Sequence, residues 1–319
     1  MASVNGSPAN SQLPFLDMEQ LRLTLSMREA IDALDRAFAG ELPHTPVRSH
    51  YSAQGGELLL MPAWGDIGVG VKLITLDHEN PARGLPFIHG IFILFAAEGK
   101  QPLAAIDGAA LTALRTAAVS ALSVRHLARE DARKLLIFGA GRQSHAHLEA
   151  MLAVRDFDSL TVVDMFPEKA QELVEVAAGL GLASRVGTPE DVGDADVVCC
   201  CTTSREPVVR GELLKPGTHI VAMGAYRPDM CEVDVTTLRR ARVIVEDREA
   251  VLQEAGDFIL PMNRGEWTPD GIHGELAEAV RGTARRTDPE EITLCKTVGM
   301  ASEDLIVAHA AVEKLLTVA

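Results

Sequence analysis

Hydrophobic and polar positions follow two textures along this chain, and the change falls near Thr112. Ahead of it, Ile31, Leu34, Ala37 and Phe38 recur on one face of a predicted helix over Met27–Ala39. Ser26 stands at its cap position and Glu29 three residues on, the spacing of a reciprocal capping box. After Pro43 and Pro46, β-rich runs are predicted to form strands at Glu57–Met61, Val69–Leu76 and Ile88–Phe95, punctuated by Gly65-Asp66 and Arg83-Gly84-Leu85-Pro86. Strands joined by short turns favour an antiparallel or mixed sheet.

Beyond Thr112, strand and helix alternate. An Ala-rich helix is predicted over Thr112–Leu127, a strand over Lys134–Phe138, a helix over Ser144–Val154, a strand over Leu160–Val163 and a helix over Pro167–Leu180. Val197–Cys201, Thr218–Met223 and Val243–Val245 read as further buried strands, and Ser302–Leu316 as a closing helix. The expected fold class is α/β: a doubly wound parallel Rossmann sheet plus an α+β substrate-binding and dimerisation domain. The expected division is 1–115 with 301–319 for the latter and 116–300 for the former.

The chain has 319 residues, suited to two domains. Its net charge is −15, which disfavours nucleic acid and anionic membrane partners and suits a small-molecule ligand. Aromatic residues make up only 4%, so the core must be aliphatic. No apolar run is long enough to cross a membrane. The polar opening stretch MASVNGSPANSQ lacks an apolar signal core and is expected to be a disordered lead-in to a cytoplasmic protein. Cys199, Cys200 and Cys201 are consecutive. Adjacent strand residues face opposite ways, so they do not read as a disulfide framework; they also lack the CxxC spacing of a zinc site. With Cys231 and Cys295 they are expected to be buried hydrophobes in a reducing compartment. His145 and His147 do not share a helix face, and no metal is expected.

The strongest local motif is the run Gly139-Ala140-Gly141-Arg142-Gln143-Ser144, which follows a predicted strand and opens a helix. Gly139 permits a tight turn and Gly141 lets a pyrophosphate approach the backbone at the helix N-terminus. Ser144 replaces the third glycine and is small enough for close packing. The next strand ends at Asp164, placed to accept hydrogen bonds from ribose hydroxyls, and Met165 and Phe166 follow rather than Arg. This favours NAD(H) over NADP(H). Three cations stand in apolar contexts: Lys72 within Val69–Ile74, Arg115 in a small apolar helix, and Arg48 after two prolines. Together they suggest a carboxylate-binding pocket.

In order along the chain come Met61-Pro62-Ala63, Lys72-Leu73, Gly84-Leu85-Pro86, Leu103–Gly108, Leu111-Thr112 with Arg115–Ala118, and the glycine loop. Pro216–Ile220, Gly224-Ala225, Arg227-Pro228-Asp229, Gly274-Glu275-Leu276 and Gly299-Met300-Ala301 with Glu303-Asp304 follow. From about Met27 to Leu316 this series resembles the ornithine cyclodeaminase/mu-crystallin family. The resemblance implies a Rossmann domain inserted before a returning C-terminal helix, and a homodimer paired through the N-terminal sheets. It implies that Arg48, Lys72 and Arg115 hold a substrate carboxylate beside the nicotinamide, with Lys72 a candidate for proton transfer and Tyr226 as pocket lining or an aid to it. Thr116, Thr202, Met223 and Gly224 are carried over as cofactor contacts. Members reduce cyclic or acyclic imino acids, cyclise ornithine with loss of ammonia, deaminate alanine, or serve as binding proteins. Cyclodeaminases resemble one another in two acids that this chain lacks, having Leu59 and Tyr226 instead. The expected activity is therefore reduction of a 2-imino carboxylate. Ornithine cyclodeaminase and a non-catalytic mu-crystallin-like binder are the alternatives.

Overall fold

A computed structural model describes residues 13–77 and 79–318. The polar opening stretch expected to be a disordered lead-in lies outside the described residues. The chain begins with β1 (Phe15–Leu16), α1 (Met18–Thr24) and α2 (Met27–Ala39). The expected capping box holds: Ser26 Oγ accepts from the Glu29 amide at 3.3 Å, and the Glu29 carboxylate accepts from the Ser26 amide at 2.9 Å. Next come β2 (Ser49–Ala53), β3 (Gly56–Gly65), β4 (Gly68–Asp77), β5 (Ile88–Phe95) and β6 (Pro102–Asp107). The first sheet runs β1-β6-β5-β4-β3-β2, antiparallel except where β1 joins β6. It is thus the mixed sheet the punctuation suggested.

The long helix α3 spans Gly108–Leu127, four residues earlier than its apolar pattern implied. Asp107 sets that start: its carboxylate accepts from the amides of Ala109 and Ala110 at 2.9 and 2.8 Å. Small side chains such as Ala117, Ala118 and Ala121 let most of α3 lie buried between the two sheets.

After α3 come β7 (Lys134–Phe138), α4 (Arg142–Val154), β8 (Ser159–Val163), α5 (Pro167–Gly179), β9 (Ala183–Val186), β10 (Val197–Cys200) and β11 (His219–Ala222). The chain continues through α6 (Val235–Arg240), β12 (Ala241–Val245), α7 (Arg248–Glu254), α8 (Gly256–Asn263), β13 (Ile272–Glu275), α9 (Leu276–Arg281), β14 (Ile292–Lys296) and α10 (Ala301–Val318). The second sheet is wholly parallel in the order β13-β12-β14-β11-β10-β7-β8-β9. From β7 the chain proceeds outward through β8 and β9, then returns to β10 on the other side. That reversal is the switch point at which open α/β sheets bind ligands.

The sequence pattern did not mark β14, although it is central. Its five residues, ending in Lys296, are too short to separate from a buried helix turn by periodicity.

The last helix, α10, leaves the parallel sheet and packs against β3, β4 and β5 of the first one. Leu305, Ala308 and Val312 share a core there with Met61, Phe92, Leu94 and Leu34. The opposite face of the first sheet carries half-buried Leu58, Leu60, Val71, Leu73, Ile91 and Ile93, with no helix layer over it among the described residues. Because α10 carries the acids described below, its seating fixes the site. Leu305→Ala removes a fully buried side chain from that contact and is expected to lower unfolding stability by about 3 kcal/mol, measured by urea denaturation.

Candidate functional site

The sequence singled out Lys72, Arg115 and Arg48, and the structure brings all three to one place. Lys72 sits on β4, a central strand, and is fully buried. Its Nζ is 2.6 Å from Asp304 Oδ2 and donates to Thr112 Oγ1 at 3.2 Å; that hydroxyl in turn donates to the Gly108 carbonyl at 2.7 Å. Arg115 on α3 donates from Nη1 to Glu303 Oε2 at 2.8 Å and places Nε 3.2 Å from Asp304 Oδ1. Arg48, just ahead of β2, donates to the carbonyls of Val298 and Gly299 at 2.9 and 2.8 Å and pairs with Glu254 at 2.9 Å.

The partners were the part sequence reasoning missed. In the sequence Thr112, Glu303 and Asp304 stand only as members of motifs, without a role, and Glu246 and Glu254 carry no signal. An acid pair in the first turn of a closing helix was the available signal, since a helix N-terminus favours negative charge. The loop before α10 fits tightly around the guanidinium. Gly299 has φ +85°, and a Cβ there would lie 2.3 Å from Arg115 Nη1.

Burial sets the electrostatics. Desolvation pulls the Lys72 ammonium down to about 8, against the opposing pull of Asp304. Glu303 moves the other way: burial first, then the facing Glu246 carboxyl, push it well above the usual carboxylate range. Asp304, rather than Glu303, is the carboxyl group in contact with Lys72. Glu246 also accepts from the amides of Val298 and Gly299 at 3.1 and 2.6 Å, which ties the end of β12 to the loop before α10.

The loops after β12 and β14 close on this cluster through Glu246, Val298 and Gly299, and the neighbouring parallel strands end on the same, carboxyl, side of their sheet. Gly139, Ala140, Gly141, Arg142 and Gln143 join β7 to α4; Thr202 follows β10; Met223 and Gly224 follow β11. Gly139 has φ +88°, and a Cβ on it would meet the Cys201 carbonyl oxygen at 2.5 Å. The α4 N-terminus has Gly141 at its cap and no side-chain cap, so its amides are open to an anion. Asp164 ends β8 as expected. Its two oxygens accept from the amides of Ala140 at 2.7 Å and Phe166 at 2.8 Å, and each retains a lone pair for a ribose hydroxyl. The buried Thr116 hydroxyl on α3 has no hydrogen-bond partner among the described residues. A dinucleotide fits these features.

Beneath the loops lies a buried charge network that the sequence did not reveal. Glu232 accepts from the amides of Thr202 and Gly224 at 2.8 and 2.7 Å, and from Thr202 Oγ1 at 2.9 Å. Asp257 accepts from the amides of Glu232 and Val233 at 2.6 and 3.0 Å, while Lys296, at the end of β14, places Nζ 2.8 Å from it. Burial raises Glu232 to about 7, with Lys296 pulling against it. This network fixes the loops after β10 and β11 relative to each other.

Tyr226 is half-buried near Arg48, Arg227 and Glu57, and burial raises its phenol. Leu59 is buried on the face of β3 shared with Met61, which pairs with Lys72 across β4. Leu59 thus forms an apolar wall beside the lysine. Glu57, on the same face, has its carboxylate 3.7 Å from His50 instead.

This fold and site define a Rossmann-type α/β protein whose first, mixed sheet holds a buried lysine, Lys72. The chain belongs to the ornithine cyclodeaminase/mu-crystallin family, which it matches over residues 15–318. It is 32% identical over 314 residues to a Delta(1)-pyrroline-2-carboxylate reductase of Colwellia psychrerythraea, covering 95% of this chain and 99% of that one. The structure of Thermococcus litoralis Delta(1)-pyrroline-2-carboxylate reductase in complex with NADH and L-proline superposes with a TM-score of 0.90 at 35% identity, covering 96% of this chain and 98% of that one. An archaeal alanine dehydrogenase dimer with bound NAD also gives 0.90, at 30% identity and 96% coverage of each chain.

The coupling of Lys72 to Asp304 is directly testable. Asp304→Asn removes the neighbour that holds the ammonium up, so the Lys72 pKa is expected to fall from about 8 by about one unit or more. Carbon-13 NMR titration of labelled lysine side chains measures it; an unchanged value contradicts the pairing.

Proposed function

We propose that this protein is an NAD(H)-dependent reductase of small 2-imino carboxylates, with pyrroline-2-carboxylate and its six-membered homologue as first candidates and acyclic imino acids next. The observation that carries this reading is Lys72: a buried ammonium, its pKa lowered to about 8, held by the same Asp304 carboxyl that meets Arg115. The reductases and the NAD-bound dehydrogenase similar to this chain support the same reading.

In this reading Gly139, Gly141 and the α4 amides hold the pyrophosphate, and Asp164 the adenosine ribose, which favours NAD(H) over its 2′-phosphorylated form. Thr116, Thr202, Met223 and Gly224 line the nicotinamide end. The cofactor supplies a hydride to the imine carbon. Arg115 and Arg48 hold the carboxylate and fix the orientation of the C=N bond. Lys72 delivers the proton to nitrogen and is recharged from solvent when the product leaves. Tyr226 closes the pocket beside Arg48.

The apolar Leu59 beside Lys72 speaks against ornithine cyclisation, which must accommodate a second, charged amine. The intact lysine, arginines and glycine loop speak against a purely binding role. The five free cysteines suit a reducing cytoplasm, and no described helix is long and apolar enough to cross a membrane.

NADH and NADPH oxidation, followed with pyrroline-2-carboxylate, piperideine-2-carboxylate and an oxo acid plus amine, tests the proposal. Turnover with an imine and NADH is expected, and none with ornithine plus NAD. Lys72→Ala is expected to lower kcat about 10²–10⁴-fold. Reduction by the parent should decline as pH rises through about 8, because the ammonium donor is lost there. Proline and ammonia from ornithine would overturn the reading.

The bare face of the first sheet is the proposed homodimer surface. Its half-buried Leu60, Val71, Leu73, Ile91 and Ile93 form a continuous apolar patch by strand register. Sedimentation is expected to give a dimer for the parent and a monomer for Val71→Glu.

A further inference from the structure

The consecutive cysteines serve two different layers. Cys200 faces one core of the parallel sheet, while Cys199 faces the other and Cys201, just beyond β10, packs against it. The two same-side sulfurs lie 3.7 Å apart. From α4, His147 is buried against them: a ring nitrogen and the two Sγ atoms all lie within 4.8 Å of one another. The Nδ1 of His147 is 2.7 Å from the Gln143 carbonyl, which can only accept. The ring proton therefore sits on Nδ1, leaving the Nε2 lone pair toward the cluster, where it meets Ser120 Oγ at 2.9 Å.

We propose that His147 Nε2, Cys199 Sγ and Cys201 Sγ form a binding site for a thiophilic divalent cation of the zinc class. Two thiolates bound tetrahedrally at about 2.3 Å stand about 3.8 Å apart, close to the separation already present. The Nδ1–H bond to a backbone carbonyl is the outer contact that orients a ligating imidazole. A fully buried serine, Ser144, faces the Cys201 sulfur; its hydroxyl makes no hydrogen bond within geometric range and offers the fourth position, directly or through water. Two thiolates, a neutral imidazole and a divalent cation leave no net charge in the core. The absence of a carboxylate from the cluster disfavours magnesium and calcium.

The site's placement gives it a consequence. The Cys201 amide donates to the Phe138 carbonyl at 2.8 Å, and its own carbonyl faces Gly139. A bound cation ties β10 to α4, the two elements on either side of the switch point, and stiffens the glycine loop. From the sequence alone no metal is expected, because His145 and His147 do not share a helix face and the cysteines lack CxxC spacing. The parallel sheet instead supplies two thiols from one strand face and an imidazole from the helix above it.

The test uses the reduced full chain and Co2+ alone, under anaerobic conditions. About one Co2+ retained per chain after desalting is expected, with an intense thiolate-to-cobalt band in the near ultraviolet that Zn2+ displaces. Cys199→Ser and Cys201→Ser are each expected to weaken retention at least tenfold, and Cys231→Ser to leave it unchanged. Parent protein that retains no Co2+, or that shows no thiolate band, overturns the proposal without reference to any variant. So does a band that survives in both Cys199→Ser and Cys201→Ser.

Discussion

Asp304 is the contact on which the site depends. Its two oxygens meet Lys72 at 2.6 Å and Arg115 at 3.2 Å, and so join β4, α3 and α10 through one carboxylate. None of these groups could be buried alone, because an unpaired charge in the core costs several kcal/mol. The last helix therefore cannot seat on the first sheet unless its acids meet the cations of the two preceding elements. Burial, outweighing the pull of Asp304, leaves Lys72 with a pKa lowered to about 8, which suits proton transfer near neutrality.

A second buried network performs the corresponding task on the cofactor side. Lys296 neutralises Asp257, Asp257 fixes the backbone at Glu232, and Glu232 gathers amides from the loops after β10 and β11. These loops carry Thr202 and Gly224. Glu246 then links the end of β12 to the loop before α10. The two sheets thus meet at the site through charged groups placed at strand ends, with α3 packed between them as an aliphatic spacer.

Leu59 makes the strand face beside Lys72 apolar, and Tyr226 lies half-buried near Arg48. A site with one buried ammonium, two guanidiniums and no acid on that wall favours a compact carboxylate-bearing imine over a diamine.

Local order was legible in the sequence because short-range rules govern it. The Ser26 box, the strand from Lys134 to Phe138, the strand from Ile88 to Phe95 and the glycine turn at Gly139 each follow from neighbouring residues. Lys72 and Arg115 could be flagged because a cation in an apolar run needs a partner. Which partner answered was a tertiary matter: Asp304 lies more than two hundred residues from Lys72 in the chain, and only the return of α10 to the first sheet brings them together. Lys296, Glu232 and Asp257 were invisible for the same reason, since β14 is a central strand by assembly and not by pattern. The pairing of Cys199 and Cys201 beneath His147 likewise appears only when α4 packs on β10. Sequence determined the elements and the misplaced cations; long-range packing decided which charges neutralise one another, because that depends on what desolvates them together.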